Sequence, residues 1–146
     1  MKPIIIDTCV ILDMLLRDRP RNKVSSPLLR ILNENKIKVL LPATSLFETL
    51  VGMRNEQNSS TKKLQFGFKI PFYFDIINID SDFFSKYYNK SLPYMKTLDM
   101  LYLSIAHKDG LVLITQDKEL YKKGLSVGVE VYKTEQFIAK YPQTNH

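Results

Sequence analysis

An α/β fold in one domain, with a five-stranded parallel sheet covered by helices on both faces, is predicted for this chain by three observations. The 146 residues, 45% of them hydrophobic, suffice for one domain with a sizeable core and fall short of two ordinary ones. Short runs dominated by Ile, Val and Leu alternate with helical patterns, as they do where strands are buried on both faces of a parallel sheet. Two of these runs, Ile4-Ile5-Ile6-Asp7 and Leu113-Ile114-Thr115-Gln116-Asp117, repeat one design in which an apolar strand delivers an acid at its carboxyl end.

Taken in order, the first strand is expected at 3–7, then a short helix at 9–16, a basic loop, a helix at 25–35 and a second strand at 37–41 stopped by Pro42. Residues 43–54 read as a helix. The segment 55–63 is too polar to pack and is expected to be a mobile loop. Phe66, Phe68, Phe72, Tyr73 and Phe74 come next. Such rings can stack bases, but few basic residues alternate with them, so core or dimer-interface packing is the favoured reading. The third strand is expected at 74–77, followed by a helix from Ser81 or Asp82 towards Lys90, with Pro93 as the break. A helix at 98–108, apolar on most sides, should lie buried against the sheet and end at Gly110. Strand four is expected at 111–115, a short helix to Lys123 with Gly124 as its stop, strand five at 127–132, and a last helix from Thr134 or Glu135. Residues 142–146 should form a frayed tail, and the whole of 1–146 a single domain without internal repeats.

No window approaches the roughly 18–20 apolar residues of a membrane span, and the short Ile run after Met1-Lys2-Pro3 lacks a signal peptide's length and cleavage site. A cytoplasmic protein without membrane contact is therefore expected. Cys9 is the sole cysteine, which excludes an internal disulfide; it reads as a small buried residue at a helix start. Without a Cys/His cluster, a zinc site is not expected. The net charge of +6 favours a polyanionic partner such as nucleic acid. Arg17, Arg19, Arg21 and Lys23 are candidates for backbone phosphate contacts, which position a nucleic acid without reading its sequence. Lys62, Lys63, Lys122 and Lys123 form smaller basic clusters that also read as solvated faces.

In a parallel sheet, strand carboxyl ends and helix N-termini share one rim. Asp7 ends strand one, Glu48 lies early in the helix after strand two, Asp99 opens the helix leading into strand four, and Asp117 follows strand four. Topology therefore gathers all four acids. Each taken alone also fits helix capping or the helix dipole, and Ser45 to Glu48 has capping-box spacing. Taken together they would repel one another unless a cation neutralised them. Oxygen-only donors point to Mg²⁺ or Mn²⁺, and such an ion assists displacement at a phosphodiester, which is nuclease chemistry. Thr8 and Thr115 are auxiliary candidates for orienting a water or carboxylate, and Glu119 is an optional further ligand.

Ile4-Ile5-Ile6-Asp7-Thr8-Cys9-Val10-Ile11-Leu12 and Pro42-Ala43-Thr44-Ser45-Leu46-Phe47-Glu48 resemble the first two motifs of the PIN-domain ribonuclease family, in particular its small VapC-type toxins. Leu98-Asp99 through Ala106, then Gly110 and Leu113-Ile114-Thr115-Gln116-Asp117, resemble the third and fourth. The resemblance implies a PIN-like five-stranded sheet and an Mg²⁺ or Mn²⁺ site. It also implies metal-dependent endonuclease action on structured RNA, a homodimer, and inhibition by a co-encoded antitoxin in a VapBC-type pair. On that basis Asp7, Asp99 and Asp117 would be metal ligands and Glu48 would orient a water or assist proton transfer. A housekeeping RNA-processing PIN nuclease and a non-catalytic RNA-binding PIN scaffold are the alternatives. No family motif falls between Arg54 and Asp75.

Overall fold

Ile4 and Ile6 join one hydrophobic cluster and Ile5 joins another, so the first strand feeds two cores, one on each face of the sheet. The same split recurs where Leu113 faces the second core and Ile114 the first. This is why these runs are continuously apolar rather than alternating with polar residues. In the computed structural model, which describes residues 1–58 and 70–142, the strands are β1 (Ile5–Ile6), β2 (Val39–Pro42), β3 (Phe74–Ile77), β4 (Leu113–Ile114) and β5 (Val131–Tyr132). The helices are α1 (Thr8–Leu15), α2 (Asn22–Glu34), α3 (Ala43–Asn58), α4 (Ser81–Tyr87), α5 (Thr97–Asp109), α6 (Lys118–Ser126) and α7 (Thr134–Ile138).

All pairings are parallel: β1 beside β4, β4 beside β5, and β2 beside β3. A parallel bridge between Ile4 and Val39 joins the two groups, with Ile4 N donating to Lys38 O at 3.0 Å and Leu40 N to Ile4 O at 2.9 Å. The strand order is thus β3-β2-β1-β4-β5. Val10, Ile11 and Met14 of α1, Leu28, Ile31 and Leu32 of α2, and Phe137 of α7 cover one face. Phe83 and Tyr87 of α4, Tyr102, Leu103 and Ile105 of α5, and Leu120 of α6 cover the other. Among the described residues, no helix is long and apolar enough to cross a membrane.

Several boundaries differ from the sequence reading. Helix α2 begins at Asn22 rather than 25 and carries Pro27 inside it, while Asn22 Nδ2 donates to Asp13 O at 2.8 Å and ties that first turn to α1. Helix α3 continues through Asn58, so the expected loop at 55–63 starts as helix; the rest of it, with Lys62, Lys63, Phe66 and Phe68, lies outside the described residues, as do residues 143–146 of the expected tail. Helix α4 ends at Tyr87, short of Lys90. Phe72 is buried, in edge contact with Phe74, as packing rather than base stacking requires, whereas Tyr73 is exposed.

Gly110 does end α5, at φ 63°, with Leu111 N donating to Ala106 O at 3.0 Å. Gly124, in contrast, lies within α6. A Cβ there would come 2.6 Å from Val131 Cγ2, so this glycine lets α6 approach β5 rather than stopping the helix.

Candidate active site

The chain leaves β1 for β2 and β3 on one side of the sheet and returns to β4 and β5 on the other. Connections diverge at such a reversal and leave a crevice at the carboxyl ends of the two central strands. Here those ends carry Asp7 after β1, and Thr115 and Asp117 after β4. A cleft of about 940 Å³ opens at this point, and Asp7, Glu48, Asp99 and Asp117 all line it. Four separate elements thus bring the four sequence-predicted acids to one site.

Asp7 is the most enclosed, at 8% exposure. Its Oδ1 accepts from Cys9 N at 3.2 Å, capping α1, and its Oδ2 accepts from Thr115 Oγ1 at 2.9 Å. Burial raises its pKa; the Thr115 and Cys9 bonds pull it back, and the charges of Asp117 and Asp13 push it up again. Thr115 Oγ1 also accepts from Asp117 N at 3.0 Å, so one hydroxyl fixes both strand ends. Asp117 caps α6 through Leu120 N at 2.8 Å. Asp99 sits in the first turn of α5 without capping it. Desolvation, then the charges of Asp117 and Asp7, lift its pKa from 3.8 to about 6, with Lys96 opposing them and Glu119 adding a smaller push. Capping and site membership are therefore compatible, since Asp7 and Asp117 do both.

Glu48 lies in the second turn of α3, and the capping-box reading fails. Helix α3 starts directly out of β2 at Ala43, so Ser45 is already inside it and donates instead to Tyr102 Oη at 2.8 Å. Thr8 Oγ1 is 2.7 Å from the same phenol, so its hydroxyl is engaged inward. Glu119 is paired with Lys123 one helical turn on. Cys9 is exposed and lines the cleft, contrary to the buried position expected of it, because α1 turns its apolar Val10 and Ile11 to the core instead.

Of the basic candidates, Arg19 donates to Asp13 Oδ1 at 2.7 Å and Arg21 pairs with Glu135. These two guanidiniums help hold the loop after α1, while Arg17 and Lys23 are exposed. Lys122 is exposed, and Lys123 also donates to Tyr94 O at 2.7 Å. Sequence reasoning missed three residues. Asp13 is a buried acid signalled by its place within an apolar helix; Tyr102 is the hidden hydroxyl hub; Lys96, three residues before Asp99, is a cation lining the cleft.

The donor set is wholly carboxylate oxygen, which suits a hard divalent ion. Among the described residues, however, no three His, Cys, Asp or Glu side chains stand close enough together to hold one as folded. The capping bonds explain part of this, since they hold Asp7 and Asp117 toward their own helices, and like charge does nothing to draw the acids inward.

Compared with known families, residues 4–125 match the PIN domain. The chain belongs to the PIN-domain family. The match covers most of the chain, from β1 into the last turn of α6, and all four acids of the cleft lie within it. This PIN domain has the parallel α/β architecture read from its sequence, and its fold is consistent with the nuclease superfamily. No curated protein matches the chain in a sequence comparison.

Proposed function

We propose that this PIN domain is a metal-dependent endoribonuclease of the RNA-processing kind. One observation carries the reading: Asp7, Glu48, Asp99 and Asp117 line a single cleft at the sheet's reversal point. To hold Mg²⁺ or Mn²⁺, Asp7, Asp99 and Asp117 would have to draw together from the positions they occupy as folded; when bound, such an ion supplies an activated water and stabilises charge at a phosphodiester displaced in line. The chain's own part begins with Thr115, which keeps the Asp7 carboxylate and the Asp117 backbone in register. Glu48, which lines the same cleft from α3, is assigned to orient the attacking water or accept its proton. Lys96 balances charge beside Asp99, and Arg17 and Lys23 are the exposed cations assigned to backbone phosphates. Action as the toxin of a VapBC-type pair, with a homodimer and a co-encoded antitoxin, is a narrower version that rests on motif resemblance alone.

A second reading, a non-catalytic RNA-binding PIN scaffold, is favoured by the separation of the acids among the described residues. Incubation of the purified protein with total tRNA and rRNA in Mg²⁺ or Mn²⁺, and again in EDTA, separates the two. Discrete fragments on a denaturing gel that vanish in EDTA are expected. RNA bound but uncut in either metal, once co-purified inhibitor is excluded, would replace the nuclease with the scaffold.

A further inference from the structure

Thr97 lines the acidic cleft and also a second groove, of about 470 Å³, between α4 and α5. Phe84, Tyr88 and Tyr94 line that groove, yet they are 56%, 75% and 89% exposed. Scattered exposed apolar residues are ordinary, but three aromatic rings gathered on one concave surface are not explained by the fold. Phe84 packs edge-on to the buried Phe83, with ring centres 5.9 Å apart, so its position is held. Tyr87, Tyr88, Asn89 and Ser104 then continue into a polar pocket of about 430 Å³ that carries Lys86, His107 and Lys108. Carboxylates, aromatic rings and cations thus follow one another over continuous surface, from Asp99 to Lys108.

We infer that this track seats unpaired nucleotides of RNA flanking the bond to be cut, with bases stacked on Phe84, Tyr88 and Tyr94 and phosphates near Lys86, Lys90 and Lys108. The inference rests on the proposed nuclease function and adds the surface that holds the strand beside the cleft. Base faces stack on aromatic side chains regardless of sequence, but only where they are not already paired and stacked in a duplex. The cations fit an anionic backbone, whereas an apolar protein surface laid in the groove would desolvate Lys90 on its rim. Asp109, 3.6 Å from Lys86 and hydrogen-bonded to Tyr87, offsets part of that charge, which leaves Lys90 and Lys108 as the main phosphate partners. The track also ends where chemistry is proposed, since Thr97 and Asp99 share the first turn of α5.

The test uses a short single-stranded RNA bearing 2-aminopurine, in EDTA so that nothing is cut. Wild-type protein is expected to bind it and quench its fluorescence by stacking, and to bind the same sequence as a duplex more weakly. The Tyr88→Ala/Tyr94→Ala variant should lose the quenching and weaken single-strand binding by about tenfold or more. The Tyr88→Phe/Tyr94→Phe variant should keep both, and all three should melt alike because the positions are exposed. Unchanged quenching and affinity in the Ala variant would overturn the track while leaving the nuclease reading intact. A change of oligomeric state alone, with RNA affinity retained, would assign the groove to a second copy of the chain and likewise overturn it. Failure of wild type to bind or cut any RNA would remove the nuclease reading, and this inference with it.

Discussion

Asp99→Asn should melt higher than wild type in EDTA at neutral pH, while losing RNA cleavage by about a thousand-fold, because metal stabilisation of a transition state is worth several kcal/mol. The two effects have one cause. Asp99 has its pKa raised to about 6 by desolvation and by the charges of Asp117 and Asp7, so ionised Asp99 is less comfortable in the folded cleft than in the unfolded chain. Between about pH 4 and pH 6 the folded state keeps a proton that the unfolded state has released. Stability from this group therefore falls as pH rises through that window, and the cost is complete above it. Asparagine removes the cost, so its advantage in melting temperature should be largest at pH 7 and fade towards pH 4. Asp99 is substantially solvated, so a gain of a few degrees at most is expected. Melting that is unchanged or lower at pH 7 would mean that Asp99 serves the α5 terminus more than the cleft.

The second large effect belongs to a residue outside the acid set. Tyr102→Phe should destabilise the protein by about 1–3 kcal/mol, because the phenol is the shared partner of buried donors. Its Oη accepts from Ser45 Oγ at 2.8 Å and from Thr8 N at 3.3 Å, and lies 2.7 Å from Thr8 Oγ1. One oxygen thereby joins α5, α3 and the start of α1 directly beside Asp7. Calorimetric melting checks this, with a drop of about 3 to 10 °C expected for a domain of this size. Phenylalanine keeps the ring's packing, so a loss that large would belong to the hydroxyl network. A change below about 0.5 kcal/mol would show that those hydroxyls find other partners at little cost.

The strand runs and the strand-end acids were legible because both follow from parallel-sheet rules: a strand buried on both faces must be apolar throughout, and helix starts share the rim with strand ends. Asp7 and Asp117 follow that logic completely. What stayed hidden depended on contacts between distant segments. Nothing local reveals that Ser45 answers Tyr102 rather than its own helix, or that Arg19 and Arg21 are taken up by Asp13 and Glu135 instead of facing a ligand. Gly124 reads as a helix stop until Val131 is seen pressed against the place where its side chain would be. The polar composition beyond Arg54 similarly concealed the further turn of α3 to Asn58. Phe84 and Tyr88 stand four residues apart, a helical spacing at the end of α4, but Tyr94 lies beyond Pro93 and no local period ties it to them, so the aromatic track was not legible in the sequence.

The proposed function turns on one claim, that four carboxylates from separate elements form one site for a hard divalent ion. Calorimetric titration of Mn²⁺ into metal-free protein tests it most directly, with Asp99→Asn in parallel and circular dichroism to confirm that both are folded. Saturable binding by wild type, lost in Asp99→Asn, is expected. Folded wild-type protein that takes up no Mn²⁺, or a variant that binds it equally well, would contradict the claim.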